Sequence, residues 1–254
     1  MVDGPGILVV GASGGLGAST LALAVGRRLA ATGPAAVVDL DLDGGGLEVT
    51  AGVEHLPGRR WDDLREVRGR VRPDLLLASL PVDDGCHVLS VRGGGSPRPP
   101  ERAALDVLRA LEASGSRVVV DVPVGSASLP VLISRGPLVV VLVSLTTRGL
   151  ADADAVVQRL HDDARDDDPG GDQTEDAGPR RPDLRLVTRG ARGGAAVVDD
   201  LVAHLGVPHV CHLRHDAAVA RDAERGLFPG TNRNALRRCA DAVAAVVDDV
   251  ATAS

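Results

Sequence analysis

Residues 11–20 read GASGGLGAST, with glycine at positions 11, 14, 15 and 17. An apolar run, Gly6 to Val10 (GILVV), precedes this stretch, and Thr20 to Ala31 carries apolar residues at helical spacing. Ala35 to Leu40 (AAVVDL) is apolar again, which completes a strand, glycine-rich turn, helix, strand unit. Backbone N–H groups at the start of such a helix point at an anion, and glycines let the main chain come close to it. A tight turn with no ligand is the plainer reading of the same residues.

Working outward, further apolar runs lie at Leu75 to Leu80, His87 to Val91, Arg117 to Val122, Leu138 to Leu145, Leu184 to Thr188 and His209 to Leu213. Helical patterns at 101–114, 147–164, 195–205 and 234–250 separate many of them. Continuous apolar strands alternating with helices predict an α/β fold, a mainly parallel doubly wound sheet flanked by helices. One domain over 1–254 is expected, because the polar stretch Asp166 to Asp183 has strands on both sides and reads as a flexible insertion.

Composition narrows the chemistry. The 254 residues carry a net charge of -7, with 44% hydrophobic and 25% charged residues, which is globular arithmetic. All 28 basic residues counted as Lys plus Arg are arginines, tyrosine is absent, and Phe228, Trp61 and Met1 are single representatives of their types. Schiff-base and pyridoxal chemistry are thereby excluded, as is a P-loop lysine. The lack of aromatic platforms and the acidic balance argue against strong nucleic-acid binding. No signal peptide is read at the N-terminus, and the longest apolar run, Pro137 to Leu145, falls short of the roughly 20 residues of a membrane span. Cys86, Cys211 and Cys239 show no CxxC spacing, so free thiols and a cytoplasmic location are expected. His209, Cys211, His212 and His215 are close in sequence. Strand alternation would put His212 on the face opposite the other three, and the stretch reads as a strand end rather than a metal centre.

Two families own glycine turns of this kind. Gly11, Gly15 and Gly17, with Asp39 further on, resemble the dinucleotide loop of short-chain dehydrogenases. Their Tyr–Lys chemistry is impossible in a chain with neither residue, which leaves a catalytically dead dinucleotide-binding regulator. The same loop resembles the deviant Walker A motif of the ParA/MinD superfamily, in which Gly14, Gly15, Gly17, Ser19 and Thr20 match while Ser13 and Ala18 stand where the two lysines belong. VVDLDLDGGGLEVTAGVE at 37–54 resembles that superfamily's second acidic motif, and VVVDVPVG at 118–125 its Walker B strand. The resemblance implies nucleotide binding by Ser13, Gly14, Gly15, Leu16, Gly17, Ala18, Ser19 and Thr20. It implies Mg2+ held by Ser19 and, through water, Asp121, with Asp39 as a further candidate, and Asp41 as the residue that positions water. Singly, these acids also read as turn residues or a helix cap.

Within the superfamily, the chain resembles the septum site-determining Ssd proteins, CpaE-like members of a helicase/secretion gene neighbourhood. GGLGAST at 14–20, DLDGGGLEVTAGVEHLPGRRWDDL at 41–64, VVVDVP at 118–123, DLRLVTRGARGG at 183–194 and RDAERGLFPGTNRNALRRC at 221–239 carry the likeness. The lysine pair is degraded in that family too. Its members often have an N-terminal receiver-like region, which is not expected here. The resemblance implies a spatial regulator of septum placement with weak or no ATP hydrolysis, or a CpaE/TadZ-like localisation factor for a Tad pilus or secretion apparatus. ATP with Mg2+ as weak ligands, a homodimer, and protein partners from the division or Tad machinery go with it, as does recruitment to pole or septum.

Charge and sequence position complete the expectations. No arginine lies near the loop along the chain, the nearest being Arg27, so hydrolysis should be slow or absent. Residues 239–254 are small, apolar and acidic, unlike a basic membrane-binding helix, so that helix should pack on the domain and membrane contact should be peripheral at most. Arg233, Arg237 and Arg238 form a small basic cluster that could touch DNA or lipid, with a solvated helix start as the plainer reading.

Overall fold

The computed structural model describes residues 6–42, 46–67, 71–93, 98–166, 181–190, 195–225, 228 and 234–253. Its sheet is built from β1 (Ile7–Gly11), β2 (Ala35–Asp39), β3 (Val82–Asp83), β4 (Cys86–Leu89), β5 (Arg117–Asp121), β6 (Leu138–Ser144), β7 (Asp183–Gly190) and β8 (His209–Arg214). The spatial order is β3-β4-β2-β5-β1-β6-β7-β8, parallel throughout except for the β3–β4 hairpin. The helices are α1 (Ala18–Ala30), α2 (Leu47–Ala51), α3 (Trp61–Leu64), α4 (Pro73–Ser79), α5 (Glu101–Ala113), α6 (Leu129–Ile133), α7 (Thr147–Asp166), α8 (Ala195–Leu205), α9 (Ala217–Glu224) and α10 (Ala235–Ala253). This is the doubly wound α/β architecture read from the sequence.

Alternation along the strands divides the core in two. Leu8, Val10, Val38, Val120 and Val141 face a layer built from α3 to α8, whereas Ile7, Val9, Val37, Val119 and Val140 face α1, α2 and α10. Burial on both faces explains why the strands read as unbroken apolar runs. Helix α1 lies so close to β2 that a Cβ at Gly26 would overlap the Val37 side chain. Helix α10 packs on the domain as expected, burying Leu236, Cys239, Ala240 and Val243. Among the described residues no helix is long and apolar enough to cross a membrane.

Three expectations meet the structure here. Leu75 to Leu80 forms not a strand but most of α4, whose first turn Pro73 opens; Leu76 is buried while Leu75 is 55% exposed. A run of leucines carries no period of its own, and the strand role passes to β3 and β4. The insertion read at 166–183 lies mostly outside the described residues. Cys211 and Cys239, expected as free thiols, are disulfide-bonded across β8 and α10, and Cys86 is free and buried. The fold brings together two cysteines that no local spacing connects.

The connection from β2 to α4 is held from within by Arg60, 2% exposed. Its Nε donates to Glu48 Oε2 at 2.7 Å, and its terminal nitrogens donate to the carbonyls of Gly58 at 3.0 Å and Val53 at 2.8 Å. Glu48 Oε1 accepts the Gly93 amide at 2.9 Å. Removing one member of such a buried pair strands the other charge, whereas removing both does not. Arg60→Ala should therefore lower the unfolding free energy by about 3–5 kcal/mol in urea denaturation, and Glu48→Leu combined with Arg60→Met by clearly less. Equal losses in both variants would contradict this account.

Candidate functional site

The parallel strands end together, and the loop after β1 rises over the ends of β5 and β6. Gly15 (φ 76°) and Gly17 (φ 87°) are left-handed, the conformation that favours glycine, and Gly17 is the residue from which α1 springs. No side chain caps α1 and its first turn holds no acid. A Cβ built on Gly14 or Gly15 meets nothing within 4 Å, so open space lies over the loop. The first amides of α1 are thus available to an outside acceptor. Ser13, Leu16, Ala18 and Thr20 are half-buried along the loop and first turn, and Leu16 and Ala18 rest against the α1-side core.

Beneath the loop, the Ser19 side chain lies beside the carboxylate of Asp121, which closes β5 and is 3% exposed. The Oδ2 atom of Asp121 has no hydrogen-bond partner. Burial pushes the Asp121 pKa up to about 7; the Ser19 hydroxyl opposes the shift, and the negative charges of Asp39 and Asp41 add to it. A buried carboxylate oxygen with no donor, beside a hydroxyl and under free amides, is a donor set that suits a hard cation such as Mg2+. Among the described residues no group of three His, Cys, Asp or Glu side chains could hold a metal, so ligands other than carboxylates would have to complete the shell.

Asp39, paired in register with Asp121, is placed differently. Its carboxylate accepts the Asp41 amide at 2.9 Å, the Leu47 amide at 2.8 Å and the Ser90 hydroxyl at 2.6 Å. Its carbonyl accepts the Trp61 indole N–H at 2.7 Å. Burial raises its pKa to about 6 against those donors. The acid is committed to the protein, and what it organises is the chain around Asp41, which is half-buried beside both carboxylates. Ser90 and Trp61 are site-building residues that sequence reading did not single out, since each meets Asp39 only through the fold.

Two local readings change. The loop is not without a nearby cation: Arg189, at the end of β7 and 173 positions from Leu16, donates from Nη1 to the Leu16 carbonyl. Arg27, the nearest arginine in sequence, is taken up by Asp83 and by the face of Phe228. At β8, a register shift between Leu186 and Val187 adds a residue and defeats simple alternation. His209 Nε2 and His212 Nδ1 therefore both reach the Thr188 hydroxyl at 3.0 Å, while Cys211 turns to α10. A cavity of about 760 Å³ lined by His209, Cys211, His212 and Asp199, among others, shares no lining residue with the glycine loop. Of the arginines at 233, 237 and 238, Arg233 lies outside the described residues.

No family model matches the chain. Uncharacterized proteins from two strains of Mycobacterium tuberculosis are 30% identical to it over 248 residues, 97% of this chain and 65% of each relative. The chain thus spans just under two thirds of the curated relatives it matches. Among solved structures, a ParA family ATPase from Chlorobium tepidum superposes with a TM-score of 0.69 at 13% identity, covering 96% of this chain and 99% of that one. The MinC:MinD cell division protein complex of Aquifex aeolicus gives 0.70 at 17% identity, covering 96% of each chain. The septum site-determining protein MinD of Pyrococcus horikoshii, complexed with Mg-ADP, gives 0.64 at 15%, covering 97% of each. By strand order, layers and these superpositions, the chain has the fold of the ParA and MinD ATPases.

Proposed function

We propose that this chain is a ParA/MinD-like spatial regulator that acts in septum-site determination, binds Mg-nucleotide weakly, and hydrolyses it slowly or not at all. The observation that carries the reading is the Ser19–Asp121 pair under the glycine loop, with one buried carboxylate oxygen left without a donor. Bound Mg2+ would neutralise phosphate charge. The amides from Gly14 to Ser19 would hold the phosphates, the Ser19 hydroxyl and Asp121 would hold the ion, the latter through water, and Asp41 would orient water. With Ser13 and Ala18 in the lysine positions, electrostatic help to a transferring phosphoryl group is reduced, and losing one such donor typically slows catalysis about 100- to 1000-fold. The protein then acts by location and contact, as a homodimer with protein partners; the Aquifex MinD solved with MinC supports that mode. The strand order weighs against the dinucleotide reading: β5 separates β1 from β2, which are neighbours in dinucleotide-binding sheets.

Calorimetric titration with ATP, with and without Mg2+ and with NAD as competitor, tests the reading. Binding should require Mg2+, resist NAD and be lost in Asp121→Ala; metal-independent NAD binding would overturn it. Because a proton competes with Mg2+ for Asp121, affinity should fall below about pH 7, approaching tenfold per pH unit.

The ion-free protein carries the opposite signature. A carboxyl whose folded pKa lies above its ordinary 3.8 stabilises the fold below pH 4 and loses that contribution as the pH rises through 7. Asp121→Asn, measured without Mg2+, should accordingly raise the unfolding midpoint at pH 8 and change it little at pH 4.

A further inference from the structure

Four of the arginines that reach across the fold are matched by carboxylates: Arg27 by Asp83, Arg60 by Glu48, Arg117 by Asp248 and Arg135 by Glu112. Arg189 is not. It is half-buried, and among the described residues no carboxylate pairs with it. Its place follows from register: Ser144 of β6 pairs with Arg189, so the residue sits where β7 ends, two strands from β1 and level with the loop. From there Nη1 donates to the carbonyl of Leu16, between the two left-handed glycines. Gly17 makes room for it, since a Cβ there would lie 2.6 Å from Nη1.

We propose that Arg189 is the phosphate-binding cation of the glycine loop, supplied from β7 to a loop whose own sequence holds no lysine. This rests on the Mg-nucleotide reading of the site. A guanidinium has five N–H donors in a planar fork suited to phosphate, and the Leu16 carbonyl uses one of them. The contact with Leu16 fixes the group beside the loop amides. Charge is then divided across the site: Asp39, Asp41 and Asp121 lie at the ends of β2 and β5, the side suited to a cation, while Arg189 comes from the β6–β7 side, suited to the anion. The ligand this arrangement recognises is a polyphosphate with its divalent ion.

The test is calorimetric titration of the full chain with Mg-ATP, Mg-ADP and Mg-pyrophosphate, with circular dichroism melting to follow the fold. Arg189→Met should weaken Mg-ATP binding about 10- to 100-fold and flatten its salt dependence. Arg189→Lys, which keeps the charge and loses the fork, should fall between. Pyrophosphate binding that shows the same loss places the contact on the phosphates alone, whichever molecule carries them. Ala18→Lys gives an independent reading that does not rely on Arg189→Met folding well: the gain from a lysine in the loop should be larger in the Arg189→Met background than in the wild type. Wild-type Mg-ATP affinity retained in Arg189→Met, with equal gains from Ala18→Lys in both backgrounds, overturns the proposal and leaves the nucleotide reading standing. Absence of Mg-ATP binding by the wild type overturns both.

Discussion

A carboxylate at the buried end of a strand must find donors, and the way Asp39 finds them shapes the acidic half of the site. One oxygen takes the Asp41 amide; the other takes the first amide of α2 and the hydroxyl of Ser90 just beyond β4. The carbonyl of the same residue takes the indole of α3. Its own turn, α2, α3 and the residue after β4 converge on Asp39, and together they satisfy groups that would otherwise be buried without partners. Arg60 does the same for the segment behind them, gathering the carbonyls of Val53, Leu56 and Gly58 together with Glu48. With these donors spent on Asp39, Asp121 next to it keeps an oxygen unmatched. The two neighbouring acids thus differ: one has its oxygens saturated with donors and the other does not.

Strand order turns this local chemistry into a site. With β1 between β5 and β6, the glycine loop rises between strand ends that deliver an acid from one side and an arginine from the other. Open α/β sheets bind ligands at such carboxyl ends. The loop contributes little charge of its own; it contributes amides held in place by two left-handed glycines, and its neighbours supply the rest.

What could be read from sequence follows the range of the interactions. The glycine loop, the βαβ unit and Asp121 were readable because each is announced within a few residues: a turn composition, a change of period, an acid closing an apolar strand. Arg189 was not, since its partner Leu16 lies 173 positions away and only sheet order makes them neighbours. Ser90 and the Cys211–Cys239 bond were hidden for the same reason. The faces of β8 failed otherwise: counting by twos is right until one extra residue enters the strand, and then His209 and His212 share a side. Leu75 to Leu80 failed because consecutive leucines hold no phase, and only Pro73 marked the helix start.

Composition and packing meet in one residue. Trp61 is the chain's single tryptophan, tyrosine is absent, and the indole is fully buried with its N–H on the Asp39 carbonyl. Near-ultraviolet absorption and emission of the whole protein therefore arise almost entirely from one ring, one hydrogen bond away from the backbone that carries the acidic cluster. The molecule thus carries a built-in fluorophore whose spectrum tracks the state of the β2 strand end without any label.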